Sequence, residues 1–370
     1  MNDARTTVAS GTIFQLKNGF PGPAYANSTT PLYIQKTNWQ DKNQRTSYVQ
    51  QFSIGPQVQL SRSMILEVIY VGNLGHKMNR LRNANQGRVT GFTGATPNVT
   101  FPYANLNSGG THAFLEQATN DGYTNYNGLV TSLRRQMSKG LGFQVSYTWA
   151  HNFSDYADNL TAGSTPQNAY DYEHEYSQSP FDQRQRLVVS GQWKLPIGKN
   201  GLVLNNDSTA AKLIGGWQYN IIASFEAGNP FNVTAADNSQ TGGNHAAYAN
   251  CLAGASTNTT HDRDALTNIN GTGRYINPSA FTQPTAGAFG SCRPRPFAGP
   301  GRRNFDMSLF KQFAFTDVRK LEFRLEGFNV FNHANLANPA AAITTPGTFG
   351  RISSVTNAAR QVQLAAKFYF

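Results

Sequence analysis

Charge is scarce in this sequence. Asp, Glu, Lys and Arg make up only 14% of the 370 residues, against roughly a quarter in typical soluble domains, yet hydrophobic residues stop at 39%. The remaining positions go to Asn, Gln, Ser, Thr and Gly, a habit of long loops and water-filled β interiors rather than of a compact enzyme core. Long apolar runs are missing as well. None approaches the roughly 18 residues of a membrane-spanning helix, so any passage through a bilayer must be made by strands closed into a barrel. The opening residues Met1 to Ser10 lack the charged-then-apolar pattern of a signal peptide. On that expectation the chain either stays inside the cell or has its true beginning upstream.

Cysteine and catalytic patterns are equally scarce. Cys251 and Cys292 share one long irregular region with no metal-ligand spacing around them, which favours a loop disulfide in an oxidising compartment over two free thiols. There is no Gly-x-Ser-x-Gly, no His-Glu-x-x-His and no Gly-x-x-x-x-Gly-Lys, and the 7 histidines are dispersed. Hydrolase, protease and nucleotidase chemistries therefore lack their groups, and the expectation is a protein that is not an enzyme and uses no cofactor or metal. His174, between two glutamates, reads as a solvated loop residue. Asp155, Asp158, Asp171, Glu173 and Glu175 gather in one stretch, but their spacing matches no EF-hand loop. The net charge of +11 raises nucleic acid as a partner. The basic residues are nevertheless scattered as pairs such as Arg134-Arg135, Arg302-Arg303 and Arg319-Lys320, so the clustered footprint of a nucleic-acid binder is absent.

What the chain does have is alternation. Leu141, Phe143, Val145, Tyr147, Trp149 and Phe153 fall on one parity and Gly142, Gln144, Ser146, Thr148, Ala150 and Asn152 on the other, the two-residue period of a strand. A weaker copy from Leu129 to Met137 precedes it across the turn Ser138-Lys139-Gly140, making a hairpin. The same pattern recurs over Tyr48 to Leu60, where Pro56 marks a bulge or an edge, and over Met64 to Tyr70. It returns at Arg184 to Leu195, Gly216 to Ala227, Asn304 to Phe315, Leu321 to Glu326 and Gln361 to Phe370. Segments such as Asn73 to Asn125, Ser154 to Asp182 and Gly228 to Arg302 read as long polar loops.

This gives about nine antiparallel strands whose connections alternate between short and long. Successive antiparallel connections fall on opposite rims, so all the short ones share one rim and all the long ones the other. A soluble sandwich has no reason to sort its loops in this way, whereas an outer-membrane barrel has short periplasmic turns and long extracellular loops. The fold expected is therefore all-β: an antiparallel transmembrane β-barrel, partial at about nine strands of a larger barrel, because single-chain bacterial barrels carry even strand numbers. Residues 1–47 form the extracellular lead-in and 48–370 the carboxyl-terminal portion of the barrel.

Several stretches then resemble one family. They are Asn125-Tyr126-Asn127-Gly128-Leu129 leading to Ser146-Tyr147-Thr148-Trp149-Ala150, Phe181-Asp182-Gln183-Arg184-Gln185-Arg186, Gly216-Trp217-Gln218, Gly228-Asn229-Pro230-Phe231, and Glu326-Gly327-Phe328-Asn329-Val330-Phe331-Asn332. In order and spacing the chain is similar to the carboxyl-terminal part of a TonB-dependent receptor barrel of the Oar-like group. The resemblance implies a roughly 22-stranded barrel with an amino-terminal plug, partnership with the TonB complex through that plug, and energised uptake or secretion. The end of the chain also resembles the signal read by the barrel-assembly machinery. Gln363, Phe368 and Phe370 match it, while Ala365 stands where Gly is usual.

Within that frame Trp149, Trp193 and Trp217 are candidates for the aromatic girdles at the lipid interface, the alternative being a sandwich core. Arg186, Asp306, Glu322, Arg324 and Glu326 are candidates for the lumen, with Asp306 and the three charges of 322–326 forming a cross-strand ladder. Lys311 interrupts the apolar side. Either its stem snorkels to the interface or a bulge turns it inward. A rival reading makes the protein an adhesion or interaction module that uses the barrel as a platform for its loops. A second rival, a soluble secreted sandwich, predicts extraction without detergent.

Overall fold

The computed structural model describes residues 36–107, 112–155, 165–198, 201–206, 208–242, 247–252, 273–316 and 318–370. In chain order the elements are β1 (Lys36–Gln40), β2 (Tyr48–Ile54), β3 (Gln57–Ser61), β4 (Met64–Asn83), β5 (Arg88–Thr93), β6 (Thr96–Thr100), β7 (Phe114–Ser138), β8 (Leu141–Ser154), α1 (Tyr172–Glu175), β9 (Ser177–Gln178) and β10 (Gln185–Lys194). They continue with α2 (Thr209–Ile214), β11 (Trp217–Glu226), β12 (Pro230–Phe231), β13 (Asn250–Cys251), β14 (Phe281–Thr282), β15 (Phe297–Ala298), β16 (Arg302–Ala314), β17 (Lys320–Phe328) and β18 (Gln361–Tyr369).

One antiparallel sheet runs in the order β18-β17-β16-β11-β10-β8-β7-β4-β2, and β3 continues the β2 edge along β4. Strand follows strand in sequence because each connection only has to reverse the chain. Between β7 and β8 two residues suffice: Lys139 and Gly140 both take positive φ, 52° and 81°, the backbone of the hairpin turn whose twist matches its strands. Pro56 has no N–H to give a ladder, and it falls in the gap where the edge strand breaks into β2 and β3. Among the described residues the two ends of the path do not pair, so the sheet is open.

Register sorts the side chains. Directly opposed residues of antiparallel strands share a face. Leu66, Leu133, Val145, Val189, Ala223 and Phe305 stand in one unbroken row across six strands. Leu141, Trp193, Tyr219, Leu309, Leu325 and Leu364 form a second row. On the opposite face Gly142, Gln192, Asn220, Ser308, Glu326 and Gln363 line up in the same way. Every strand thus contributes its apolar parity to one surface, and that surface is exposed at Tyr147, Trp149, Trp193, Phe323 and Leu325.

The stretch Asn73 to Asn125, expected as a loop, departs from the sequence reading. β4 runs for 20 residues and β7 for 25, paired from Met64 and Arg135 up to Asn83 and Glu116. At roughly 3.4 Å per residue β7 spans about 80 Å, where a tilted membrane strand needs only 9–11 residues. The ribbon bends at an irregularity beside Lys77, whose φ is 53°, as bulges do at the rims of barrels. Above the last β8 pair, β1 joins β7 in parallel, on the edge that β8 has left. Residues 36–40 of the expected lead-in are thereby part of the sheet.

The largest buried apolar cluster lies outside the sheet. Phe231, Val233, Tyr248, Ala249, Tyr275, Ile276, Ala280, Phe281, Cys292 and Phe349 pack together, and all belong to the long connections β11–β16 and β17–β18.

Candidate functional site, a cap over the long-connection rim

Four separate stretches of chain meet above the rim, and buried amides hold them together. Gln86, just past β4, is fully buried and donates to the Gln167 carbonyl at 2.7 Å and to Thr241 Oγ1 at 3.2 Å. Its own side-chain oxygen accepts from the Ala169 N–H. Gln167 in turn donates to the Gly290 carbonyl at 2.8 Å. The Thr234 N–H donates to the Ala341 carbonyl and the Ile343 N–H to the Thr234 carbonyl, both at 2.9 Å, which sews the β17–β18 connection to the rest. A buried amide left unpaired costs more than the bond itself is worth, so these contacts fix how the loops fit together.

Two charged centres lie inside this cap. Glu175 ends α1, is buried, and accepts from the Gln167 N–H at 3.0 Å and from the Tyr248 hydroxyl at 3.1 Å. Burial pushes its carboxyl up despite those two bonds, and burial beside Glu175 pushes the Tyr248 phenol up as well. Arg295 Nη2 donates to Ser177 Oγ at 3.2 Å. At the second centre, Arg80 donates from Nε to Asp121 and from Nη1 to Asp155, both at 2.8 Å, and its guanidinium stacks 3.3 Å from the Tyr172 ring. One arginine thus sets two carboxylates apart. Burial works to raise Asp121, but the Arg80 and Thr119 hydrogen bonds outweigh it and hold the group low. Burial prevails at Asp155 and moves it up, and it pushes the Tyr172 phenol up to about 12.

Cys251 and Cys292 are joined by a disulfide across a sequence separation of 41. His174, read as a solvated loop residue, is half-buried and donates from Nε2 to the Cys292 carbonyl at 3.0 Å. The acidic stretch does not converge. Asp155 is spent on Arg80, Asp171 caps α1 by accepting from the His174 N–H, Glu175 faces Tyr248, and Asp158 lies outside the described residues. Among the described residues no group of three or more His, Cys, Asp or Glu side chains is placed to hold a metal.

Two clefts open at the cap. One of about 500 Å³ lies between the two largest connections, lined by Arg274, Phe281, Ile343, Pro346 and Phe349. Another of about 700 Å³ sits where the cap overhangs the apolar face, against Tyr147, Leu187, Phe225, Arg303 and His333.

Lower down, the charged candidates share the polar face but not one ladder. Arg186 and Arg302 flank Glu226 at 3.1 and 2.9 Å. Glu322 pairs with Arg324 on its own strand and accepts from Gln312 across the sheet at 2.6 Å. Asp306 instead accepts from the Asn329 N–H at 2.9 Å and from Asn304, tying down the end of β17. Glu326 stands between Ser308 and Gln363. The expected cross-strand ladder is therefore two local clusters, because Asp306 is one rung beyond the reach of Arg324.

Lys311 follows neither expected course. The register through β16 is unbroken, with Lys311 opposite Trp217 and Phe323, so no bulge turns it inward. It does not reach for water either, being 2% exposed. Its ammonium donates to the carbonyls of Lys212, Leu213 and Gly215, the orphan acceptors at the end of α2.

A model described as outer membrane beta barrel domain matches residues 2–363. The chain belongs to that family. This outer-membrane barrel protein is accordingly a component of the bacterial outer membrane, its fold a β-barrel with long extracellular loops. No curated protein matches it. Among solved structures it is similar to the outer membrane transporter YddB from Escherichia coli, at 10% identity and a TM-score of 0.46, over 91% of this chain and 34% of that one. The ferric-catecholate import receptor Fiu from E. coli K12 gives 11% identity and a TM-score of 0.38, over 89% and 29%. The FrpB iron transporter from Neisseria meningitidis gives 10% and 0.40, over 91% and 32%. The chain spans about a third of the length of these proteins.

The sequence reading missed Arg80, Gln86, Gln167, Tyr248 and Arg295. They lie in stretches without period or motif, and nothing in the sequence distinguishes a buried loop glutamine from an exposed one.

Proposed function

We propose that this barrel protein supplies the carboxyl-terminal strands of a TonB-dependent receptor of the Oar-like group, acting in energised uptake or secretion of an unidentified substrate. The open sheet carries the reading. Among the described residues its two outer edges have no partner strand; backbone N–H and C=O groups left so in hydrocarbon cost several kcal/mol each, and pairing with further strands of the same barrel removes that cost.

On this reading Arg186, Asp306, Glu322, Arg324 and Glu326 face the lumen, and the cap is the recognition surface. Trp149 belongs to the outer girdle, and Trp193 and Trp217 to the inner one. Gln185, which pairs with Trp149, is eight residues from Trp193. That is about 26 Å along the strand and about 20 Å along the membrane normal at a tilt near 40°, close to the apolar band of such barrels. Gln363, Phe368 and Phe370 serve the barrel-assembly machinery, the two rings standing 6.3 Å apart on the lipid side. Contact with the TonB complex runs through a plug domain upstream.

The test is the intact mass of the native protein after detergent extraction of the outer-membrane fraction. A mass far above the 40.5 kDa of this chain, with the added sequence carrying a plug, is expected. A product of 40.5 kDa would overturn the receptor reading.

A further inference from the structure

The connection between β10 and β11 is the odd one on the short-turn rim. Its neighbours there are tight reversals, whereas this one runs from Leu195 to Gly216 and carries α2. It is a built unit. Ser208 caps α2 by accepting from the Ala211 N–H at 3.1 Å, the Gly198 N–H donates to the Val203 carbonyl at 2.8 Å, and the Gly216 N–H reaches back to the Ile197 carbonyl at 3.2 Å.

Lys311 determines where this unit lies. Its Cα is on the lipid-facing parity, its ammonium is 5.3 Å from the Trp217 ring and 4.7 Å from the Phe313 ring, and its three acceptors belong to the end of α2. The connector is therefore folded against the outer wall of the barrel at its periplasmic end, and the lysine that breaks the apolar pattern is what holds it there. The connector turns apolar groups away from the protein: Leu202 is 87% exposed, Val203 56%, Leu213 60% and Ile214 52%. Beside them Lys212 is exposed and cationic. Apolar side chains flanked by a cation, continuous with a wall already in lipid, match the headgroup and acyl boundary of a bilayer.

We propose that the described residues of this connection, 195–198, 201–206 and 208–216, are an interfacial anchor that seats on the phospholipid of the periplasmic leaflet, with Lys311 as its positioning residue. Leu202, Val203, Leu213 and Ile214 enter the acyl boundary, and Lys212 meets the phosphates. The anchor fixes the depth of the barrel and shields the helix end from hydrocarbon through Lys311.

The test uses the full native protein in vesicles of phosphatidylethanolamine and phosphatidylglycerol, with Leu213→Cys carrying an environment-sensitive fluorophore. A nitroxide near the top of the acyl chain should quench this probe severalfold more than aqueous iodide does. A probe at Leu325→Cys, on the outer wall, reports separately on the barrel. If Leu325→Cys is quenched from lipid while Leu213→Cys answers only to iodide, the anchor is overturned and the barrel stands. Lys311→Met should shift the Leu213→Cys probe from lipid toward iodide quenching. An unchanged Leu213→Cys signal in folded Lys311→Met would overturn the positioning role.

Discussion

The Tyr248 hydroxyl donates to the buried Glu175 carboxylate at 3.1 Å, joining the β11–β16 connection to the segment after β8. Tyr248→Phe removes that donor and leaves Oε2 unsatisfied, a loss of about 1–3 kcal/mol in cap stability. Amide exchange at Ala249 and Cys292 should rise while the β10–β11 ladder stays protected. Exchange in Tyr248→Phe equal to that of the unmodified protein would show that the bond is idle.

Glu175 also gives the cap a pH dependence. Its folded carboxyl titrates above the ordinary value because of burial, so on raising the pH the unfolded cap loses its proton first. Cap stability should therefore fall as pH rises from the ordinary carboxylate range through the raised value, then level off. Proteolysis of the cap against pH measures this, and Glu175→Gln should flatten the profile.

Arg80 serves two carboxylates of unequal exposure, Asp121 at 49% and Asp155 at 11%. Asp121→Asn should cost under about 1 kcal/mol. Arg80→Met, which strands Asp155, should cost about 3–5 kcal/mol locally. Because Arg80 and Thr119 hold Asp121 low against burial, its share of stability is present at neutral pH and is lost as pH falls through the folded value. Urea titration followed by exchange in the β4–β7 ribbon separates the two variants.

The disulfide closes a loop of 41 residues. The double variant Cys251→Ser, Cys292→Ser should be less stable in the cap than the unmodified protein by about 2–4 kcal/mol. Protease should then cut within 227–301 in intact cells, with the strands surviving as a protected core. Simultaneous loss of core and cap would mean that the two fold as one unit.

Face assignment has its own test. Val189→Lys places a charge on the lipid side near mid-strand, at a cost of about 2–4 kcal/mol, whereas Ser190→Lys on the polar face should be tolerated. Heat-modifiable mobility of the folded barrel reports both, and the reverse ranking would invert the sheet.

The strands were legible because each one separates two environments, and a two-residue period records that directly: Leu141 through Trp149 alternate in the sequence as they do in the sheet. The upper ribbon was not. Above the rim β4 and β7 meet cap or water on both sides, so Asn79, Arg80, Asn120 and Asp121 carry no alternation. Lys311 was visible as an anomaly, but its partner is the end of a six-residue helix whose sequence, Thr-Ala-Ala-Lys-Leu-Ile, is too short to announce itself. The cap was opaque for a third reason. Its buried groups are polar, they satisfy one another across 81 to 155 positions of chain, and such pairings leave no local trace.

Those separations bear on the order of events during folding. Gln86 contributes near the start of the cap and Phe349 near its end, after β17. Contacts so distant in the chain are slow to form, and here they also wait for the last hairpin to deliver its connection. A barrel stalled before β18 pairs with β17 would carry the disulfide and most of the apolar residues, but the connection bearing Ile343 and Phe349 would not yet be held over the rim, so its exterior would stay open to proteases. A closed cap therefore marks, on the outer surface, that the β17–β18 hairpin has joined the sheet beneath it.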